Sequence, residues 1–211
     1  MSVHPIPEAG RGGISTARRA SDADKVALAR TMARAFLEDP FVFWLVPDRD
    51  ARMRKLPSMF ALLFRLARAF SACDVTANVE AAALWRPPDT WHIPFRQYVV
   101  NGPHLLRIFG GNTLRALGAM DTLERRHPRE PHWYLQAIGT DPAFQGKGYG
   151  GVLLRHRLSL IDAEGLPAYL EASKESNIPL YAGFGFALTG EIEIRNGPVL
   201  YPMWRASRHK L

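Results

Sequence analysis

The glycine-rich segment FQGKGYGG, from Phe144 to Gly151, is the part of the sequence best suited to bind a ligand through its backbone. It follows the apolar run HWYLQAIGT and precedes a stretch with the apolar spacing of an amphipathic helix. Glycines let a backbone approach a ligand closely, and the free N–H groups and dipole at a helix N-terminus attract anions. The segment therefore predicts a phosphate-binding loop, with a simple tight turn as the alternative.

Two well-known phosphate-binding patterns match this loop only in part. A nucleoside triphosphate loop needs a Ser or Thr after its lysine to reach magnesium, but Gly148 follows Lys147 here. Gly146, Gly148 and Gly151 spell the G-x-G-x-x-G of a dinucleotide-binding fold. Glu171, at the end of the next predicted strand, even supplies the acidic residue of that fingerprint. However, DPAFQ separates the loop from its strand, and the chain beyond Glu171 is too short for the second half of such a fold.

The residues around the glycines carry a more specific resemblance. QGKGYG, residues 145–150, is similar to the Q/R-x-x-G-x-G/A signature of the GCN5-related N-acetyltransferase (GNAT) superfamily. NIPLYAGFGF, residues 177–186, resembles the second motif of that superfamily, in which an Asn and a Tyr precede a Gly-Phe pair. The resemblance covers about residues 14–205, with the specific motifs in residues 127–190, and it is strongest to the group of puromycin N-acetyltransferase and its relatives.

The resemblance implies an α/β fold with a mixed central sheet flanked by helices, and acetyl-CoA as the acyl donor. Backbone N–H groups of the glycine loop would hold the pyrophosphate, while the strand before it would pair with the pantetheine arm. We expect Gly139 to mark a bulge that separates this strand from the next. Asn177 would contact the arm or cap its helix. The residues expected to bind the cofactor are Ile138, Gly139, Thr140, Gln145, Gly146, Lys147, Gly148, Tyr149, Gly150 and Asn177.

The resemblance also implies one catalytic group. Tyr181 occupies the position whose hydroxyl protonates the departing thiolate. The resemblance does not identify the base. Glu171 closes a predicted strand that should border the cleft, so it is the first candidate for the group that takes the amine proton, directly or through water, or that binds the cation of the acceptor. Glu130 and Asp141 are weaker candidates, and we expect the single cysteine, Cys73, to be a packed residue. No metal is expected.

These residues predict transfer of the acetyl group to a primary amine of a small molecule, by direct attack and without a covalent enzyme intermediate. Acylation of a protein or peptide amine is one alternative, which a tight, aromatic-lined pocket built from residues 87–128 would disfavour. A non-catalytic acyl-CoA-binding module with a regulatory role is the other alternative.

Composition limits the partners and the compartment. The net charge of +7 reflects dispersed basic residues without a long basic run, so nucleic acid is an unlikely partner and an anionic small molecule fits better. A single cysteine and the absence of a long apolar run predict a soluble, cytoplasmic protein without a membrane partner, either a monomer or a homodimer.

The elements that must position these residues form one domain. We expect a flexible lead-in over residues 1–13, a single domain over residues 14–205 and a basic tail over residues 206–211. Residues 87–128 form an irregular insertion with short helices, acting as a pocket wall or as packed structure. The predicted order is a strand, two helices, a hairpin, this insertion, and then the strand, loop and helix around the glycines, followed by further strands.

Overall fold

The computed structural model describes residues 16–92 and 95–207, and the side chains of all of these except residues 95–99. The expected lead-in lies outside the described residues, as does the tail from residue 208. The described residues therefore include nearly all of residues 14–205, over which the sequence predicts a single domain.

The domain is built on an eight-stranded mixed sheet with the order β1-β2-β3-β4-β5-β8-β6, in which β7 pairs with β8. Only β4 and β5 are parallel, and the other neighbours are antiparallel. The strands are β1 (Ala17–Arg19), β2 (Cys73–Thr76), β3 (Ala81–Arg86), β4 (Trp133–Thr140), β5 (Ala168–Ala172), β6 (Ala187–Leu188), β7 (Ile192–Glu193) and β8 (Val199–Arg205).

Helices cover both faces of this sheet. They are α1 (Lys25–Ala35), α2 (Pro40–Leu45), α3 (Arg49–Arg68), α4 (Phe95–Phe109), α5 (Thr113–Arg126), α6 (Tyr149–Glu164) and α7 (Ile178–Ala182). Apolar side chains of α1 and α3 pack with Val75 and Leu84 on one face, and those of α6 pack with Leu135 and Leu170 on the other. Because both faces are covered, every residue of β3 is buried, which explains why its first five residues, AAALW, are all apolar and do not alternate with polar ones.

Two parts of the chain are more helical than the sequence predicts. The first helix, α1, ends at Ala35, before the Asp39-Pro40 pair. A separate α2, which the sequence did not predict, begins at Pro40, and Asp39 accepts hydrogen bonds from the amides of Phe41 and Val42 as its N-cap. The insertion at residues 87–128 holds two full helices, α4 and α5, where short ones were expected. Pro103 lies inside α4 and does not end that helix.

The parallel strands β4 and β5 pair over only three residues, from Trp133 to Leu135, and then diverge. The register between β3 and β4 shifts at the same place, where Leu84 pairs with Ala137 and Trp85 pairs with Leu135, leaving Gln136 as the extra residue. The bulge expected at Gly139 is therefore wrong, since it lies at Gln136. Gly139 pairs regularly with Ala82.

Close packing of α1 explains the glycine at position 139. A Cβ there would lie 2.8 Å from the Cβ of Ala35 and 3.1 Å from the ring of Phe36. Those distances are shorter than side chains tolerate without movement of the helix. Gly139 thus lets α1 approach the outer part of β4 beside the point where the strands separate.

Candidate active site

A cleft of about 460 Å³ opens where β4 and β5 diverge. Both predicted catalytic residues, Glu171 and Tyr181, line it. It is also lined by six of the residues expected to bind the cofactor, which are Ile138, Gly139, Thr140, Gln145, Gly150 and Asn177. Residues 146–149 lie outside the lining of this cleft, at the loop that leads into α6.

The glycine loop has the backbone shape that an anion site needs. Gly146 and Gly148 have φ angles of 75° and 82°, in the left-handed region that favours glycine. Gly148 is the N-cap of α6 and has no side chain to satisfy the first turn, so the amides of residues 149–151 have no helical acceptor. These N–H groups and the helix dipole suit the phosphates of a coenzyme, with exposed Lys147 beside them.

Tyr181 lies in the short helix α7 and is buried. Burial raises the pKa of its hydroxyl to about 12, and the negative charge of Asp39 adds to the shift. The hydroxyl is therefore protonated at any ordinary pH, as a proton donor must be. Asn177, at the start of this helix, lines the cleft and makes no side-chain capping hydrogen bond.

Glu171, near the end of β5, is buried with only 5% of its side chain exposed. It lines the cleft and also a smaller pocket of about 70 Å³, which we call the side pocket. Within the described part of the chain, its Oε1 atom has no hydrogen-bond partner, and neither does the hydroxyl of Tyr169. Burial raises the pKa of Tyr134 and of Tyr169, and the Glu171 charge raises both further.

The side pocket is lined by aromatic and acidic residues, and several come from the insertion at residues 87–128. Trp91 stacks on His127 with ring centroids 4.1 Å apart, and His127 meets Tyr134 edge-on at 4.8 Å. Glu124 supplies a second carboxylate and contacts His92. The full lining is Trp91, Met120, Leu123, Glu124, His127, Tyr134, Gln136 and Glu171.

Two buried histidines extend from Glu171 into the protein. Nδ1 of His127 lies 3.6 Å from Oε1 of Glu171, and Nε2 of His127 lies 3.0 Å from Nε2 of His132. Nδ1 of His132 lies 2.6 Å from the backbone carbonyl of Glu130. Burial lowers the pKa of His132, and the neighbouring His127 lowers it further.

These histidines and Asp39 were not predicted from the sequence. Asp39 is buried, lines the cleft and accepts a hydrogen bond from the hydroxyl of Ser173. The only sequence signal for it was the Asp39-Pro40 pair, which is typical of a helix start. Nothing in the spacing of HPREPH indicated that both of its histidines lie under Glu171.

The remaining candidates have structural positions. Asp141 caps the turn at Pro142–Phe144 and pairs with Arg34, and Glu130 is exposed. Cys73 is buried as expected, and burial raises the pKa of its thiol to about 12. Among the described residues no three His, Cys, Asp or Glu side chains come together to hold a metal, and no helix of this part of the chain is long and apolar enough to cross a membrane.

Comparison with known proteins identifies the family. The model of the acetyltransferase (GNAT) family matches residues 65–186, which is more than half of the chain. The chain therefore belongs to the acetyltransferase (GNAT) family, and the predicted superfamily, fold class and enzyme class are confirmed. It is an acetyl-CoA-dependent N-acetyltransferase.

Individual relatives agree with this class. A solved structure from Corynebacterium glutamicum, described as histone acetyltransferase HPA2 and related acetyltransferase, has a TM-score of 0.72 and 28% identity, covering 92% of this chain and 96% of that one. An uncharacterized N-acetyltransferase of Schizosaccharomyces pombe is 28% identical over 81% of this chain and 73% of its own. N-alpha-acetyltransferase RimI of Mycobacterium tuberculosis is 35% identical over 41% of this chain and 54% of its own. The resemblance to puromycin N-acetyltransferase stays a prediction.

Proposed function

We propose that this protein transfers the acetyl group of acetyl-CoA directly to a primary amine of a small molecule. The observation that carries the proposal is the position of Glu171, whose buried carboxylate borders both the cleft and the side pocket. A carboxylate at such a junction can hold an ammonium group in the side pocket and face the acyl donor in the cleft.

The cofactor would bind along the residues that the cleft and loop bring together. The amides at the start of α6 would hold its phosphates. The outer part of β4, from Gln136 to Thr140, does not pair with β5, and its backbone groups on that edge could bind the arm. Acetyl-CoA supplies an activated thioester. The chain needs only to orient it, to remove a proton from the amine and to protonate the sulfur.

Two side chains divide the proton transfers. The Glu171 carboxylate takes a proton from the bound ammonium, so that the neutral amine can attack the carbonyl carbon of the thioester. The Tyr181 hydroxyl, which stays protonated because of its raised pKa, donates its proton to the sulfur as the carbon–sulfur bond breaks. No covalent bond to the protein is needed at any point.

The side pocket supports a small, cationic acceptor. Its volume of about 70 Å³ leaves room for about five water-sized groups, which suits an aminoalkyl arm. Its two carboxylates, from Glu171 and Glu124, and the rings of Trp91, His127 and Tyr134 favour a positive charge. A narrow pocket with an aromatic wall built from the insertion was the feature expected to disfavour protein acylation.

Acetylation of a protein or peptide amine is the second candidate. Its support is the local similarity to a protein that is named N-alpha-acetyltransferase, at 35% identity over 89 residues. An extended N-terminus would have to place its α-amino group beside Glu171 by the same route as a small amine.

A panel assay tests the proposal and separates the candidates. The purified protein is mixed with acetyl-CoA and one amine at a time, including diamines, arylalkylamines, puromycin and peptides with free N-termini, and free thiol is measured. We expect fastest release with a small primary amine and none with its N,N,N-trimethyl derivative. Release with peptides alone would favour the second candidate. Tight acetyl-CoA binding without release for any amine would favour a non-catalytic module, and failure of puromycin alone would remove only the subgroup resemblance.

A further inference from the structure

Three buried contacts in a row connect Glu171 to the backbone of Glu130 through His127 and His132. The side chains of Glu171 and His127 are 5% and 4% exposed, and His132 is 1% exposed. Water therefore has little access to these atoms, so a proton in any of these contacts has to come from one of its two partners.

The lengths of the contacts show where protons lie. A carbonyl can only accept, so the 2.6 Å contact to Glu130 places a proton on Nδ1 of His132. The lowered pKa of His132 favours its neutral form, whose Nε2 then accepts a proton from Nε2 of His127 across 3.0 Å. His127 thus donates from Nε2 to His132, and its Nδ1 faces Glu171.

The last contact is the one without a proton. Nδ1 of His127 and Oε1 of Glu171 are 3.6 Å apart, too far for a hydrogen bond, and Oε1 has no other partner in the described structure. The contact between the two histidines and the contact to the Glu130 carbonyl each hold one proton, whereas the contact between His127 and Glu171 is open. One further proton would fill this contact.

We propose that Glu171, His127 and His132 act as one proton-sharing triad, whose unfilled contact between His127 and Glu171 receives the proton that the acceptor amine loses. The N–H bond of the ammonium breaks and its proton bonds to the Glu171 carboxylate, from which it can pass to Nδ1 of His127. The amine keeps its electron pair for attack on the thioester. The proton leaves to solvent through the cleft after the product departs. This inference rests on the proposed amine acetylation for its catalytic meaning.

In this arrangement His127 and His132 are positioning residues that act through Glu171. The Glu171 carboxylate attracts the ammonium, and the hydrogen bond gained between His127 and Glu171 favours removal of its proton. Arg86 faces the triad as the cross-strand partner of Tyr134 and supplies a buried positive charge. The other titratable groups facing the triad are Tyr134 on β4, Tyr169 on β5, Glu124 on α5 and the Glu130 carboxylate in the preceding loop.

Histidine side-chain nitrogen NMR on the ligand-free protein tests the triad without an acceptor. Across a pH titration of the wild-type protein and Glu171→Gln, we expect His132 to carry its proton on Nδ1. His127 and His132 should report one shared protonation step in the wild-type protein. In Glu171→Gln the amide can donate to Nδ1 of His127, so the shared step should vanish. Independent titration of the two histidines, or an unchanged step in Glu171→Gln, would overturn the proposal.

Kinetics provide the second readout, with whichever amine the panel identifies. His127→Asn keeps a donor toward Glu171 but cannot take up a proton, so the acid limb of the kcat/KM profile should move to lower pH by about one unit, with kcat lower by about tenfold. His104→Asn, on α4, is the matched control and should change neither. A uniform loss of activity with an unmoved acid limb would indicate a structural role only. The NMR result stands even if the panel finds no acceptor, so the two proposals can fail separately.

Discussion

Two buried polar clusters lie on opposite faces of the sheet, and they differ in how fully their hydrogen bonds are satisfied. Asp74 on β2 and Arg157 on α6 form a two-bond ion pair, with both donor–acceptor distances at 2.7 Å. The cluster around Glu171 has, in contrast, an unpartnered carboxylate oxygen and an unpartnered Tyr169 hydroxyl.

This difference suggests that the first cluster stabilises the fold and that the second one binds a ligand. A buried pair with complete hydrogen bonds can be maintained at little cost, whereas each unsatisfied buried polar atom is unfavourable and persists only when something else requires it. The complete pair ties α6, which follows the glycine loop, to the sheet. The incomplete cluster lies at the junction of the cleft and the side pocket, where a ligand would complete it.

Breaking the complete pair should produce the largest effect, on stability. Arg157→Leu leaves the carboxylate of Asp74, which is fully buried, without its partner. We expect the free energy of unfolding to fall by about 3–5 kcal/mol, measured by urea denaturation, with the activity of the remaining folded protein unchanged. The double variant Asp74→Leu/Arg157→Leu should recover most of the loss. If Arg157→Leu were as stable as the wild-type protein, the ion pair would not be needed for the stability of the fold.

Removing the proton donor should affect catalysis alone. Tyr181→Phe is expected to lower kcat by about tenfold to a hundredfold, with little change in the KM for the amine or in the unfolding midpoint. Because the pKa of Tyr181 is raised to about 12, the wild-type enzyme should show no loss of rate from this group below about pH 11. Tyr201→Phe, on β8, is the matched control. A Tyr181→Phe enzyme as fast as the control would assign proton donation elsewhere.

A smaller effect is expected from a substitution in the glycine loop, which is proposed to bind the cofactor through backbone amides. In Gly148→Ala the alanine would have to adopt a φ of 82°, which costs about 1–2 kcal/mol of stability. Relief of this strain would displace the amides at the start of α6. Acetyl-CoA binding, measured by calorimetry, should weaken. Gly118→Ala is the control, since this glycine lies inside α5 with free space around it, and alanine there should stabilise the helix by about 0.5–1 kcal/mol. Unchanged binding in Gly148→Ala would remove the loop from the cofactor site.

The pH dependence of stability gives the smallest signal. The pKa of His132 is lowered in the folded protein, so the unfolded chain takes up this proton near pH 6.5 while the folded chain does not. Unfolding thus binds a proton in that range, and the free energy of unfolding should fall as the pH drops below about 6.5, until the folded His132 is protonated as well. Urea denaturation should show a flatter dependence for His132→Asn. Identical slopes would mean that His132 is not held neutral by the fold.

Local sequence patterns predicted the secondary structure around the glycine loop, which forms the backbone part of the candidate site. The strand before the loop, the left-handed glycines, the helix that ends before Gly165, and Tyr181 on its short helix all lie within one continuous stretch. Their structure follows from residue spacing, glycine conformation and helix ends, which are properties of neighbouring residues. The short helix α2 and the full length of α4 and α5 were nevertheless missed.

The proposed acceptor half, around the side pocket, could not be predicted, because it depends on contacts between distant segments. His127 lies before β4 and Glu171 lies near the end of β5, so their contact depends on tertiary folding and not on neighbouring residues. Trp91 reaches His127 from the other end of the insertion. The bulge was misplaced for a related reason, since Gly139 is required by the approach of α1 and not by the strand itself.

Glu171→Gln tests most directly the claim that the incomplete cluster is catalytic. Glutamine keeps the shape of the side chain and removes the charge, so we expect kcat/KM for the identified amine to fall by about a hundredfold or more, while the unfolding midpoint stays the same or rises. Glu193→Gln, at an exposed position on β7, should match the wild-type enzyme in both measurements. Full activity in Glu171→Gln, or a loss of activity that only follows a loss of stability, would contradict the account.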